Sequence, residues 1–174
     1  MQPVENPQAG GLVPWNSDRQ LEVLVFDLGG QSFALEAVLV REILDMMPET
    51  RVPGAPALVG NVINFRGRII PLADLHLAFG MAVPASTKDS RIVVIEIDLD
   101  GEPTIIGLRT DKVHEVATFA SASSEDAPVV GLRWKREHVR SLVRHGNDDI
   151  VVLPDLAAIF QTITRGDAVA ASIH

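Results

Sequence analysis

The chain contains no cysteine and no tyrosine, and aromatic residues occupy only 5% of its 174 positions. Without cysteine there is no disulfide, no thiolate nucleophile and no zinc-thiolate site, a composition compatible with a reducing compartment. Long apolar runs are missing as well. Acids, arginines, glycines or prolines interrupt every hydrophobic stretch before the roughly 18 to 20 residues that a membrane-spanning helix needs, so no direct membrane insertion is expected. Met1 to Asp18 holds no basic residue ahead of an apolar core, which excludes a secretory signal by pattern and leaves a cytoplasmic location as the expectation. Basic residues are in the minority, 15 against 23 acids, and a net charge of -8 argues against general binding to a phosphate backbone. What remains is a 47% apolar chain of a length suited to one compact domain.

Residues 1–18 combine Pro3, Pro7 and Pro14 with Gly10 and Gly11 and lack apolar periodicity, so they read as a flexible leader from which Trp15 could still dock. Residues 164–174 read as a frayed tail. Between them, in a folded unit of 19–163, short Val-, Ile- and Phe-rich runs alternate with glycine, proline and acidic turns. Ten strands are expected: 21–28, 32–35, 40–44, 62–65, 68–71, 91–98, 104–109, 115–119, 140–144 and 150–153. Asp74 to Phe79 and Asp155 to Phe160 read as short helices, each opened by an aspartate able to accept first-turn N–H groups.

Those two helices belong to a longer repetition. Asp74-Leu75 followed by Phe79 recurs as Asp155-Leu156 followed by Phe160, each behind an aliphatic strand bearing a proline. Val40-Arg41-Glu42-Ile43 has a counterpart in Val113-His114-Glu115-Val116, and Phe26 to Gly30 has one in Ile97 to Gly101. Landmarks recurring in one order imply two related halves, about 21–80 and 91–160, each a small closed sheet. The fold class is therefore all-β, with two barrel halves packed together and short helices, and Leu24, Phe26, Leu35, Ile43, Ile70, Leu72, Val94, Ile106, Leu108, Val152 and Leu153 are expected in the core.

Chemistry is harder to find. No Gly-x-Ser-x-Gly occurs, and the five histidines (His76, His114, His138, His145 and His174) include no pair at metal-binding helical spacing, although His138 and His145 could meet in space. Glycine-rich phosphate cradles are absent too, so neither metal nor cofactor is expected. Acid pairs such as Asp148-Asp149 and Glu125-Asp126 fit solvated turns better than general acid–base work. One basic stretch, Arg133 to Arg144 around Trp134, keeps open a nucleic-acid-binding β-barrel, which would need several stacking faces. The most distinctive local feature is Asn64-Phe65-Arg66-Gly67-Arg68-Ile69-Ile70-Pro71-Leu72, in which a tight Arg-Gly turn joins two aliphatic strands. Gly67 supplies the positive φ such a turn demands, Arg66 is lifted to the rim as a planar charged fork, and Glu42 is a candidate partner for it. On these residues alone, Arg66 could equally be an ordinary surface charge.

Taken in order, the motifs resemble the CheW family of chemotaxis coupling proteins. They include Phe33-Ala34-Leu35, Val40-x-Glu42-Ile43-Leu44, Pro53-Gly54-Ala55-Pro56, Asn64-Phe65-Arg66-Gly67, Pro71-x-x-Asp74-Leu75, Asp89-x-Arg91-Ile92-Val93-Val94, Gly107-Leu108-x-x-Asp111-x-Val113-x-Glu115-Val116 and the closing Asp155-Leu156. The resemblance implies two SH3-like five-stranded β-barrels and a non-catalytic adaptor, recruited to membrane-associated signalling arrays. Its implied partners are the regulatory domain of a CheA-type histidine kinase and the cytoplasmic tips of chemoreceptors. It further implies a partner-binding set of Arg66, Glu42, Val40 and Asn61, with Val113 and Val116 near a receptor groove between the barrels. The chain departs from the pattern at Asn61 and Ser141, where glycine is usual, and at Arg109-Thr110, which interrupts an aliphatic run and bears on that groove.

Overall fold

The computed structural model describes residues 12–128, 134–147 and 149–163. Twelve strands run through them: β1 (Gln20–Leu28), β2 (Gln31–Glu36), β3 (Val40–Asp45), β4 (Thr50–Arg51), β5 (Asn61–Phe65), β6 (Arg68–Ala73), β7 (Arg91–Leu99), β8 (Glu102–Thr110), β9 (Lys112–Ala120), β10 (Ser124–Glu125), β11 (Val139–His145) and β12 (Asp149–Pro154). The ten expected strands are all present, and the two additions, β4 and β10, are two-residue edge strands too short to leave a sequence pattern. Helices follow β6 and β12, α1 at Leu75–Ala78 and α2 over residues 156–163. Asp155 caps α2 through an N–H of Ala158 at 3.0 Å. Asp74 makes no such cap bond, because its carboxylate is engaged elsewhere.

The strands form two curled six-stranded sheets, ordered β10-β11-β12-β2-β1-β9 and β4-β5-β6-β8-β7-β3. Read position by position, the two orders are the same pattern, with β7–β12 repeating β1–β6. Even a β-bulge recurs, in β3 between Val40 and Glu42 and in β9 opposite Leu24 and Phe26. The halves 21–80 and 91–160 are thus related, but neither closes on itself. Each sheet takes its β1–β2 or β7–β8 hairpin from the other half. The cause lies in the connections: β2 runs into β3 through one 3-10 turn, Ala37–Leu39, and β8 into β9 through Asp111 alone. Neither link is a hairpin that folds the chain back on its own sheet, so the strand continues out of one sheet into the next. The ladders also correct the repeat register. Val113 lies opposite Phe26 and Val40 opposite Ile95, so Phe26 corresponds to Ile95 and not Ile97.

Three apolar clusters result. Leu21, Val23, Val25, Ala34, Phe119, Val143, Val151 and Leu153 fill the first barrel, and Ile63, Ile70, Leu72, Ile92 and Val94 fill the second. The opposite faces of the same strands, with Leu24, Phe26, Phe33, Leu35, Val93, Ile95, Ile106, Leu108, Phe79 and Phe160, make the largest cluster between the barrels. A strand buried on both faces reads as a continuous apolar run, which is why β1 and β7 are so aliphatic. All the expected core residues are buried except Ile43, 43% exposed. The bulge at Arg41 and the edge position of β3 carry Ile43 to the rim of the inter-barrel face.

Polar contacts pin the crossing points. The backbone N–H of Asp111 donates to Asp27 O at 3.0 Å, its Oδ2 accepts from Gly29 N at 2.6 Å, and its Oδ1 lies 2.9 Å from Nε2 of the fully buried His76. Glu36, at the end of β2, is buried against Arg140 at 2.6 Å. Arg140 also lies 5.7 Å from the ring centroid of Trp15. Because Val13 and Trp15 pack on the first barrel, the leader expected up to residue 18 docks over its described part; residues 1–11 and the tail 164–174 lie outside the described residues.

Two outcomes test this description. Glu22 and Thr118 are cross-strand partners in β1 and β9, whereas self-closed halves would put Glu22 opposite Asp45, by analogy with Arg91. In a chain without native cysteine, Glu22→Cys with Thr118→Cys should form an intrachain disulfide on oxidation, seen on a non-reducing gel. Crosslinking by Glu22→Cys with Asp45→Cys instead would overturn the interleaving. The second outcome concerns Glu36, whose carboxyl is raised above its ordinary 4.5 by burial, against the pull of its backbone bond and Arg140. A raised native pKa means that the folded state holds the proton more tightly. The stability this group contributes is then present below the unfolded value and lost as pH rises through the native one. Melts across the window just above 4.5 should therefore shift in favour of Glu36→Gln over wild type as pH rises, while a pH-independent difference would show an ordinary carboxyl.

Candidate functional site

The β5–β6 hairpin closes on two residues, Arg66 and Gly67, with φ of 52° and 81°. Both are left-handed, the signature of a tight hairpin turn whose twist matches the strands. The Asn64 side chain fixes it by accepting from Gly67 N at 2.9 Å. Gly67 adopts this conformation freely, but Arg66 does so against the usual preference of a side-chain-bearing residue, and such strain persists where surrounding contacts hold it. Here Nε of Arg66 donates to Oε1 of Glu42 at 3.0 Å, one terminal nitrogen donates to the same oxygen, and the guanidinium lies 5.4 Å from the Phe65 ring centroid. The arginine side chain stays 70% exposed and Glu42 33%. The pairing proposed from sequence thus forms at the rim.

Glu42 reaches Arg66 because of the bulge in β3. Glu42 and Leu44 turn to the barrel interior, opposite Val94 and Ile92, while Val40 and Ile43 turn to the inter-barrel face, opposite Ile95 and Val93. Val40 is half-buried there. Val113 and Val116 occupy the equivalent places on β9, opposite Phe26 and Leu24. Val113 packs on the shared core and Val116 is 61% exposed. The six candidate residues are therefore divided between the two barrels. Arg66, Glu42 and Val40 belong to the second barrel, Val113 and Val116 to the first.

Asn61 stands apart from both groups, at the opposite end of β5 from the turn. Its amide donates to Oε1 of Glu49 at 2.7 Å. Glu49 is also gripped in bidentate fashion by Arg109, at 2.7 and 2.6 Å, and Nε of Arg109 donates to Asp74. Arg109 lies opposite Ile92 on the barrel-interior face, only 11% exposed, so it does not enter the groove between barrels. Bonds to Glu49 lead the effects that hold its guanidinium well above the ordinary arginine value, keeping it charged. Thr110 is buried too, donating to Arg91 O at 3.0 Å. The sequence did not point to Glu49. Its only signal was that Asn61 and Arg109 both depart from the family pattern, and the structure brings the two departures onto one carboxylate.

Among the described residues of the Arg133 to Arg144 stretch, the one aromatic is packed inward and three of the arginines are paired. Trp134 packs edge-on against Phe79, with ring centroids 5.4 Å apart, and against Phe33. Arg140 is committed to Glu36, Arg144 to Glu125, and Nε of Arg136 to Ala127 O at 3.0 Å; Arg133 lies outside the described residues. His145 lies against Phe119 and 3.7 Å from Glu115, while His138 is buried at the foot of β11.

Because the Arg66–Glu42 pair is exposed, it should add only about 0 to 1 kcal/mol to folding. Arg66→Ala should melt close to wild type by calorimetry, and a large drop would make the residue a structural one.

Comparison with known proteins places these features in a family. The CheW-like domain model matches residues 22–164. The chain is 28% identical over 144 residues to the chemotaxis protein CheW of Rhizobium meliloti, covering 83% of this chain and 90% of that protein. It is 30% identical over 151 residues to the chemotaxis protein CheW of Thermotoga maritima, covering 87% and 95%. The crystal structure of the scaffolding protein TtCheW from Thermoanaerobacter tengcongensis superposes with a TM-score of 0.70 at 29% identity, over 81% of this chain and 92% of that one. With the match spanning both interleaved barrels and the Arg66 turn of the second, this chain belongs to the CheW-like family.

Proposed function

We infer that the protein is a non-catalytic adaptor that couples chemoreceptor cytoplasmic tips to the regulatory domain of a CheA-type histidine kinase, within membrane-associated arrays. The observation that carries this reading is Arg66, held in the left-handed region at the tip of a two-residue turn, paired to Glu42 and still largely exposed. A strained and exposed charge that contributes little to folding fits a residue kept for contact with another protein. In an interface, such an arginine can be desolvated and become an anchor whose truncation costs about 2 kcal/mol or more of binding. Val40 on the strand that carries Glu42, and Val113 with the exposed Val116 on the equivalent strand of the other barrel, supply apolar contact area on both barrels. That arrangement suits a bridge between two partners. Asn61 acts in this reading through the shape of the second barrel, since its amide is already used by Glu49. Recruitment to the membrane follows from the receptor, since no helix among the described residues is long and apolar enough to span a bilayer.

Pulldown with a kinase regulatory domain and a receptor cytoplasmic fragment, offered separately and together, tests the adaptor reading. Each should be retained alone and both together, and retention of neither would remove it. Arg66→Glu places two acids side by side and reverses the charge offered to partners. It should remain folded yet fail to bring kinase activity under receptor control in a reconstituted assay, and normal coupling would exclude Arg66 from the interface.

A further inference from the structure

The second barrel is a sheet whose two outer strands are consecutive in the chain. β3 stands at one edge and β4 at the other, so residues 46–49 must span the open side of the curled sheet. Two ion-pair systems tie that open side together. At the rim, Glu42 on β3 meets Arg66 at the tip of β5–β6. In the interior, Glu49, on the connection itself, is held by Arg109 from β8 and by Asn61 from β5, while Arg109 reaches on to Asp74 before α1. Met46 and Met47 of the same connection pack on the barrel core, as does Phe65, the residue under the Arg66 guanidinium.

We propose that Glu49 and Arg109 are positioning residues for the Glu42–Arg66 site: by locking the connection between β3 and β4, the part-buried clamp fixes the distance between the edge carrying Glu42 and the hairpin carrying Arg66. The chemistry suits the task. A planar guanidinium gripping a carboxylate through two N–H groups resists rotation as well as separation. The cluster sets one arginine against two carboxylates, and the Asn61 amide satisfies an acceptor that the arginine alone would leave short of donors. A network of this kind holds a single geometry when every member is bonded. The first barrel has a buried pair that reaches across β12 from β2 to β11, Glu36 with Arg140, but there the acid lies on the exchanged hairpin and the arginine on the host strand. The clamp on Glu49 is therefore particular to the barrel that carries Arg66.

The binding arm of the test rests on the adaptor reading; the exchange arm does not. Glu49→Ala frees the connection while leaving Arg109 paired with Asp74, and Glu49→Gln keeps an acceptor for Asn61. In folded Glu49→Ala, amide hydrogen exchange across residues 40–51 should quicken by about tenfold, and affinity for the kinase regulatory domain should fall by a similar factor, within the range of couplings carried by packed networks. Glu49→Gln should fall between this variant and wild type. Arg66→Ala should weaken binding less in the Glu49→Ala background than in wild type, because a site already loosened has less to lose. A merely structural clamp would lower the melting temperature and leave both the exchange of 40–51 and the Arg66→Ala penalty unchanged, and that result overturns the proposal. If Glu49→Ala does not fold, Arg109→Lys, which keeps a charge for Asp74 but loses the two-pronged grip, carries the same comparison. Should wild type bind no kinase domain, the adaptor reading falls, and the exchange rates alone decide for or against the clamp.

Discussion

Everything in this molecule hangs on the apolar face that the two barrels share. Leu24, Phe26 and Phe33 from one sheet meet Ile95, Ile106 and Leu108 from the other, and the connections at Ala37–Leu39 and Asp111 pass through the seam. Because each barrel borrows a hairpin from the opposite half, neither can unfold without removing strands from its neighbour. At roughly 25 cal/mol for each Å² of apolar surface buried, this cluster is where most of the stability should reside, and the interleaving spreads it over the whole chain. His76 and Asp111 sit at this seam, His76 fully buried and Asp111 partly exposed, so a polar contact registers one barrel on the other at the edge of the apolar face.

The functional geometry follows from the same construction. A repeated bulge gives β3 and β9 their split orientation, with valines toward the seam and an acid toward the barrel mouth. In the second barrel that acid, Glu42, meets an arginine at the tip of a tight turn. In the first, Glu115 meets His145 near the equivalent hairpin, at a longer 3.7 Å. The same arrangement thus recurs as an arginine–glutamate pair in hydrogen-bond contact on one side and a longer histidine–glutamate contact on the other. Duplication supplies two related surfaces, and divergence of single residues makes them different.

Sequence alone determined the strand-forming segments, the repeat and the Arg66 turn, because each is written in short-range chemistry: alternating aliphatics, paired landmarks, a glycine able to take positive φ. It also carried Glu42 as a candidate partner for Arg66, since both residues belong to the same half of the repeat. It did not determine which half each hairpin joins. That depends on whether three residues or one can reverse the chain, and on the shared apolar face, which neither half can satisfy alone. Ile43 looked like a core residue by its neighbours and is exposed because a bulge and a sheet edge move it to the rim. Asn61 and Arg109 looked like separate irregularities, 48 positions apart by their numbers (109 less 61). Only the tertiary structure, by curling β5 and β8 around Glu49, makes them one part-buried clamp, because a charge withdrawn from water is tolerated only where partners from distant strands converge on it.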